Sequence, residues 1–341
     1  MGNSGKRLSN IELLRVIAML FVLTVHADFW AIGAPTAEEM ASAPVASGTR
    51  ILFQSLAIGC VDIFILISGW FGIKVSKKGF LKFIYLCLFF LVGIYAFCVT
   101  VGHSRISVEG IRGCLLLLPI NWFIKSYLLL YILSPVLNSF CESATKKTFS
   151  LVLLGFYTFQ TIYGVTNSVN FFEEGYSTIS FIGLYLLARY IRLHTPSWSQ
   201  YKRPVYLFAY LLVSFSMVFV GMKLSSIAGL FFTYISPTTI IASVCLLLYF
   251  SKLHINYNKA INFLGASSFA VFLLHSNPNV NESVFKCNIQ QLYASYDSIC
   301  SIFAIGAYLI GVYLLAVLID QFRILSWNCI LKLTSKKKNP Q

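Results

Sequence analysis

Glu12, Arg15 and His26 lie in a stretch of the chain otherwise built mainly from Ile, Leu, Val and Met. Arg15 and His26 are 11 residues apart, and at ~100° per residue a helix brings them within about 20° of one face. A rise of ~1.5 Å per residue separates them by about 16.5 Å along it. Glu12 stands one turn before Arg15 and can pair with it. An imidazole can take a proton from a hydroxyl near neutral pH, while a guanidinium at a different depth can hold a distant anionic group. Singly, Glu12 and Arg15 read as interfacial anchors and His26 as a satisfied core histidine. Three costly groups aligned on one apolar helix favour the functional reading.

Other polar groups recur in apolar surroundings. Asp62 falls within Gly59-Cys60-Val61-Asp62-Ile63-Phe64 and calls for a cationic or hydrogen-bonding partner, while Ser68-Gly69 permits close helix approach. Trp122 and Lys125 open a later segment, where an interfacial anchor and a snorkelling lysine are the plain readings. His275 ends Phe272-Leu273-Leu274-His275, at a depth where it could share a cavity with His26. Lys74, Lys77 and Lys78 form a basic group after the second apolar segment. The chain has no P-loop, G-x-G-x-x-G, H-E-x-x-H or G-x-S-x-G. Its nine cysteines lack metal spacing, and Cys287 and Cys300 are close enough in sequence to be candidates for a disulfide.

The elements that must carry these groups are membrane helices. Of 341 residues, 57% are hydrophobic and 11% charged, against about 25% charged in soluble domains. A span needs about 20 apolar residues, which predicts an all-α polytopic bundle of about ten helices. They fall near 11–31, 51–71, 80–101, 118–140, 148–166, 177–193, 204–222, 228–250, 261–276 and 298–322, the eighth kinked at Pro237. One domain, 1–341, is expected. The first helix has no small-residue cleavage site after it and reads as retained.

The net charge of +14 does not imply nucleic acid, because the basic residues sit in short clusters between apolar runs. With a cytoplasmic N-terminus, five of the 26 lysines and arginines fall outside: Arg50, Arg105, Arg112, Lys223 and Lys286. Arg15 and Lys125 lie within spans, leaving nineteen inside. This bias predicts that both termini are cytoplasmic, including Lys332–Lys338.

The same residues resemble the acyltransferase-3 family of bacterial membrane O-acyltransferases. Its first-helix pattern, an acidic residue, a short gap and then R-x10-H, is similar to Glu12, Arg15 and His26. Its V-D-x-F-F-x-x-S-G resembles Val61–Gly69, with Ile65 replacing an aromatic. Trp122 through Pro135 resembles W-F-x-x-x-Y-L with a later proline, and Leu264–His275 resembles L-G-x-x-S-Y-x-x-Y-L-x-H. The family's paired arginines after the second helix are replaced by Lys74, Lys77, Lys78 and Lys82, which cannot reproduce a bidentate fork.

The resemblance implies transfer of an acyl group, most often acetyl, from cytoplasmic acyl-CoA, which is a co-substrate and not a resident cofactor. The acceptor is a hydroxyl of a cell-envelope polysaccharide or its lipid-linked precursor, and the setting is the bacterial inner membrane. His26 is then the expected base, oriented by Asp62, with Arg15, Lys74, Lys77 and Lys78 on the donor phosphates. Glu12, Trp122, Lys125 and His275 are expected around the substrate, and no metal is involved. A glycan exporter or flippase would share the basic inner face and a water-filled path without needing an aligned base. A structural or sensory membrane protein would need neither.

Overall fold

The computed structural model describes residues 7–118 and 121–336. It is 83% helical and has no strands among the described residues. Lys6, Lys337 and Lys338, three of the cations in the charge pattern, lie outside the described residues. Each predicted apolar segment contains helix among the described residues, but their lengths differ, and 228–250 is interrupted between Phe231 and Pro237. Six stretches are long and apolar enough to cross a membrane: Ser9–Gly33, Pro44–Phe71, Lys77–Thr100, Trp122–Ser143, Arg203–Lys223 and Ile299–Leu333. Pro237–Ser251 and Lys259–His275 are shorter apolar helices.

The chain forms two compact units, one within residues 1–75 and 122–262, the other within 76–121 and 263–341. The first unit begins with α1 (Ser9–Val25), which passes at His26 into a π-helical segment, His26–Gly33. The short α2 (Ala37–Ser42) leads to α3 (Pro44–Ala57) and α4 (Cys60–Phe71), so the second apolar segment is two helices broken at Ile58-Gly59. Gly59 sits at that break because a Cβ there would stand 2.3 Å from Ser243 Oγ. Past the other unit's first excursion come α7 (Trp122–Ser143), α8 (Lys146–Phe159) and α9 (Thr178–His194), with a π turn at Gln160–Gly164. Then follow α10 (Arg203–Lys223), the short α11 (Ser225–Phe231) and α12 (Pro237–Ser251).

Helix α4 is the centre of this unit, packed against α9, α12 and α1. Gly69 has the role its neighbours suggested, since a Cβ there would meet Tyr185 O of α9 at 2.5 Å. Pro237 does not kink a helix: it occupies the first turn of α12, where its missing N–H has no partner to lose. The start of α1 is tied to later segments by Asn10 Nδ2 donating to Phe250 O (2.9 Å) and by Ser9 Oγ accepting from Asn258 N (2.8 Å).

The second unit holds α5 (Lys77–Thr100), α6 (Val108–Cys114), α14 (Ser268–His275), the turn α15 (Pro278–Val280), α16 (Cys287–Ser295) and α17 (Ser298–Lys336). The remaining helix, α13 (Lys259–Ala266), begins in the first unit and ends in the second. Ser267 donates to Asp320 Oδ2 at 2.8 Å, and Arg323 closes on the same carboxylate, so α14 and α17 share a buried polar seam. Cys287 and Cys300 are free thiols, both exposed, so the candidate disulfide is not formed.

Candidate active site

The first-helix cluster is assembled as its spacing implies. Arg15 Nη1 meets Glu12 Oε1 at 2.7 Å, and Arg7 Nη1 meets Glu12 Oε2 at 3.0 Å, so one carboxylate bridges two guanidiniums. Glu12 is 5% exposed in its side chain and Arg15 28%, which leaves the arginine an open side. Tyr127 of α7 is within electrostatic reach of Arg15, and its hydroxyl lies 3.3 Å from Ser68 Oγ of α4. The α-helical path from Arg15 to Val25 keeps His26 on the face that the spacing assigns it.

His26 is the first residue of the π-helical segment and packs edge-on against Trp30, with ring centroids 4.7 Å apart. π-helical turns are rare and occur often at functional sites. Two further residues shape this segment. Asp28 Oδ1 accepts from Arg50 Nε of α3 at 2.8 Å, and Arg50 Nη2 also donates to Gly33 O. The pair is largely buried, at 12% and 11% side-chain exposure. Asp28 lies outside the Glu12, Arg15 and His26 pattern, although an aspartate two residues from His26 in an apolar run is itself a signal. Arg50 was counted as an outer-loop charge, and nothing in its local sequence marks its partner.

Asp62 is fully buried, and neither of its oxygens has a hydrogen-bond partner among the described residues. The expected bond from His26 to Asp62 is therefore not made. The carboxylate lies instead within electrostatic reach of Tyr157 and Tyr234, and the Tyr157 hydroxyl is likewise buried and unpartnered. An unsatisfied buried carboxylate is costly.

Trp122 is half-buried in an aromatic group with Tyr176 (centroids 4.6 Å) and Phe181 (6.1 Å). Tyr176 in turn packs on Tyr234 at 5.3 Å, which links Trp122 to the surroundings of Asp62. Beside this chain of rings, Glu173 and Glu174 hold left-handed backbone (φ 47° and 53°), followed by Gly175 at 104°. Residues held in such conformations store strain and cluster near functional sites. Lys125, one turn into α7, is half-buried.

His275 belongs to the second unit. It is fully buried, with Nδ1 2.6 Å from Val271 O and its ring 5.2 Å from that of Phe285. It lines an apolar cavity of about 1270 Å³ whose wall includes Tyr85, Phe89, Phe97, His103 and Tyr308. His26 does not line it. Lys74 is exposed in the first unit, and Lys77 and Lys78 are exposed at the start of α5. Among the described residues no cluster of three or more His, Cys, Asp or Glu could hold a metal ion.

Paired and unpaired ionisable groups set into long apolar helices define a multi-pass membrane protein with a polar site inside its helical bundle. Residues 8–321 match the family model described as an acyltransferase domain. The chain belongs to the acyltransferase-3 family. No curated protein and no solved structure matches it.

Proposed function

We propose that the protein is an O-acyltransferase of the bacterial inner membrane. It moves an acetyl group from cytoplasmic acetyl-CoA to a hydroxyl of an envelope polysaccharide or its lipid-linked precursor. The family membership supports acyl transfer to a carbohydrate. In the topology that goes with this proposal, about ten helices span the membrane and both termini are cytoplasmic.

The observation that carries the reading is the first helix: Arg15 fixed by Glu12 at 2.7 Å, and His26 in register with it at the start of a π-helical segment. Arg15, with Lys74 of the same unit, attracts the donor's phosphates, and the pantetheine arm runs along α1 toward His26. The acceptor hydroxyl gives its proton to the His26 imidazole as its oxygen attacks the thioester carbonyl carbon. The tetrahedral oxyanion then collapses, the C–S bond breaks, and the imidazolium returns the proton to the departing thiolate. The products are the ester and free CoA, with His26 neutral again. Asp62 is assigned to the acceptor hydroxyl, since no donor among the described residues reaches it. Trp122 and Lys125 are assigned to acceptor binding or to polarising the carbonyl.

The test is transfer by purified protein from labelled acetyl-CoA to an envelope glycan extract. His26→Ala is expected to lower kcat by ~10²–10⁴ while the protein still inserts and binds donor. Near-normal turnover by that variant would sink the mechanism.

A further inference from the structure

Where α4 ends, the chain turns at Gly72, whose φ of +73° suits glycine. The turn is locked by three bonds. Ile73 N donates to Tyr185 Oη (2.9 Å), Tyr185 Oη donates to Asn138 Oδ1 (2.6 Å), and Asn138 Nδ2 donates back to Ile73 O (2.9 Å). Three helices, α4, α7 and α9, thus fix a few residues of backbone.

Two guanidiniums flank that turn, both from α9. Arg189 lies against Gly72, so that a Cβ there would stand 3.0 Å from Nη1 and 3.3 Å from Cζ. Its guanidinium hydrogen-bonds the Cys141 thiol, while its Nε is buried and has no hydrogen-bond partner among the described residues. Arg192 is held over the Trp70 ring, Cζ 4.9 Å from the centroid. Neither arginine forms an ion pair with a carboxylate among the described residues. Glu142, the acid of α7 nearest in sequence to Cys141 beside Arg189, is exposed and pairs with neither. Lys74 follows the turn two residues on and is exposed.

Arginines at a helix end are attracted by its free carbonyls, and that accounts for one cation in the last turn. It does not account for a buried Nε with no acceptor, nor for a second guanidinium held by an indole instead of a carboxylate. Planar guanidiniums that no carboxylate neutralises, set at a preorganised turn, match the oxygens of a phosphate.

We propose that Arg189 and Arg192, with Lys74, form a phosphate-binding site around the Gly72 turn. In the acyl-transfer reading, on which this assignment of the ligand rests, the phosphate is that of the acyl donor; an anionic lipid headgroup offers the same chemistry.

The experiment measures binding of unacylated coenzyme A to the full-length protein in zwitterionic lipid nanodiscs, with no acceptor and no turnover. Arg192→Gln and Arg189→Gln should each weaken it roughly tenfold or more, and Arg189→Lys should recover only part. Arg192 is exposed, so its variant tests the site even if Arg189→Gln fails to fold. A second arm uses nanodiscs containing phosphatidylglycerol and reads lipid retained by native mass spectrometry. Loss of retained anionic lipid in the variants, with coenzyme A affinity unchanged, identifies a headgroup as the occupant and keeps the site. Unchanged binding in both arms overturns it. If wild-type protein transfers no acyl group yet binds coenzyme A through these arginines, the site stands and the proposed reaction fails.

Discussion

At the N-terminal end of α1, Glu12 is held by Arg15 three residues on and Arg7 five residues back. At the C-terminal end, Asp28 is held by Arg50, twenty-two residues away on α3. The first pairing forms within one stretch of chain and leaves both arginines with solvent-facing area, 46% for Arg7 and 28% for Arg15. The second forms only when two helices have packed, and it is nearly closed off from solvent. A local pair can serve a ligand, because its guanidinium keeps free donors. A long-range buried pair serves the backbone: Arg50 grips Asp28 and the carbonyl of Gly33, near the two ends of the π-helical segment that His26 begins.

Breaking the long-range pair should have the larger effect. Removing one partner of a buried ion pair typically costs about 3–5 kcal/mol, because the other charge is stranded. Arg50→Met should therefore lower the unfolding temperature in detergent markedly, and acetyl transfer should fall with it. The double variant Asp28→Asn with Arg50→Met should recover much of the loss, since no charge is left unpaired. A double variant no more stable than Arg50→Met alone would mean that the bond to Gly33, and not the ion pair, holds the segment.

The local pair should respond more mildly and in a different quantity. Glu12→Gln removes the bridge but leaves two arginines that reach solvent, so a stability loss of about 1–2 kcal/mol is expected from a charge-assisted bond at a half-open site. Arg15→Lys should preserve stability and raise the KM for acetyl-CoA, because a point charge lacks the guanidinium fork. If Arg15→Lys instead lowers kcat at saturating donor, Arg15 acts near the reacting atoms and not on a distant phosphate.

The same contrast explains what could be read from the sequence. Glu12 and Arg15 were legible because i, i+3 spacing fixes their meeting. The apolar segments were legible because hydropathy alone makes them helical in a membrane. The grip of Arg50 on Asp28, and of Arg189 on the Gly72 turn, depends on which helices pack together, and no local pattern encodes that. Hydropathy runs on from 228 through Pro237 and so predicts a kinked helix, whereas α12 begins at the proline itself. The break at Gly59 was hidden by unbroken hydropathy across α3 and α4, and the approach of Ser243 from α12 leaves room there only for glycine. Asp62 was expected to need a partner, and its neighbourhood supplies none, because its surroundings are set by α4, α8 and the Tyr234 loop together.

The smallest expected effect belongs to a purely local device between the two pairs. Thr36 and Glu39 form a capping box on α2: Glu39 N donates to Thr36 Oγ1 (3.2 Å) and Thr36 N donates to Glu39 Oε2 (2.7 Å). The N–H of Thr36 bonding the carboxylate holds the Glu39 pKa below its ordinary value. A carboxylate depressed in the folded state contributes stability that is present above its unfolded pKa and lost as pH falls through the folded one. Thr36→Ala should destabilise this exposed helix by about 1 kcal/mol or less and leave the unfolding temperature of the whole protein unchanged. Amide exchange over residues 37–42, corrected for its intrinsic pH dependence, should show reduced protection on acidification below the carboxylate range. Glu39→Gln keeps an acceptor for Thr36 N but cannot titrate, so its protection should be flat through that range. A wild-type profile equally flat would mean that the box contributes nothing through charge, and that α2 is held by its connections to the π-helical segment and α3.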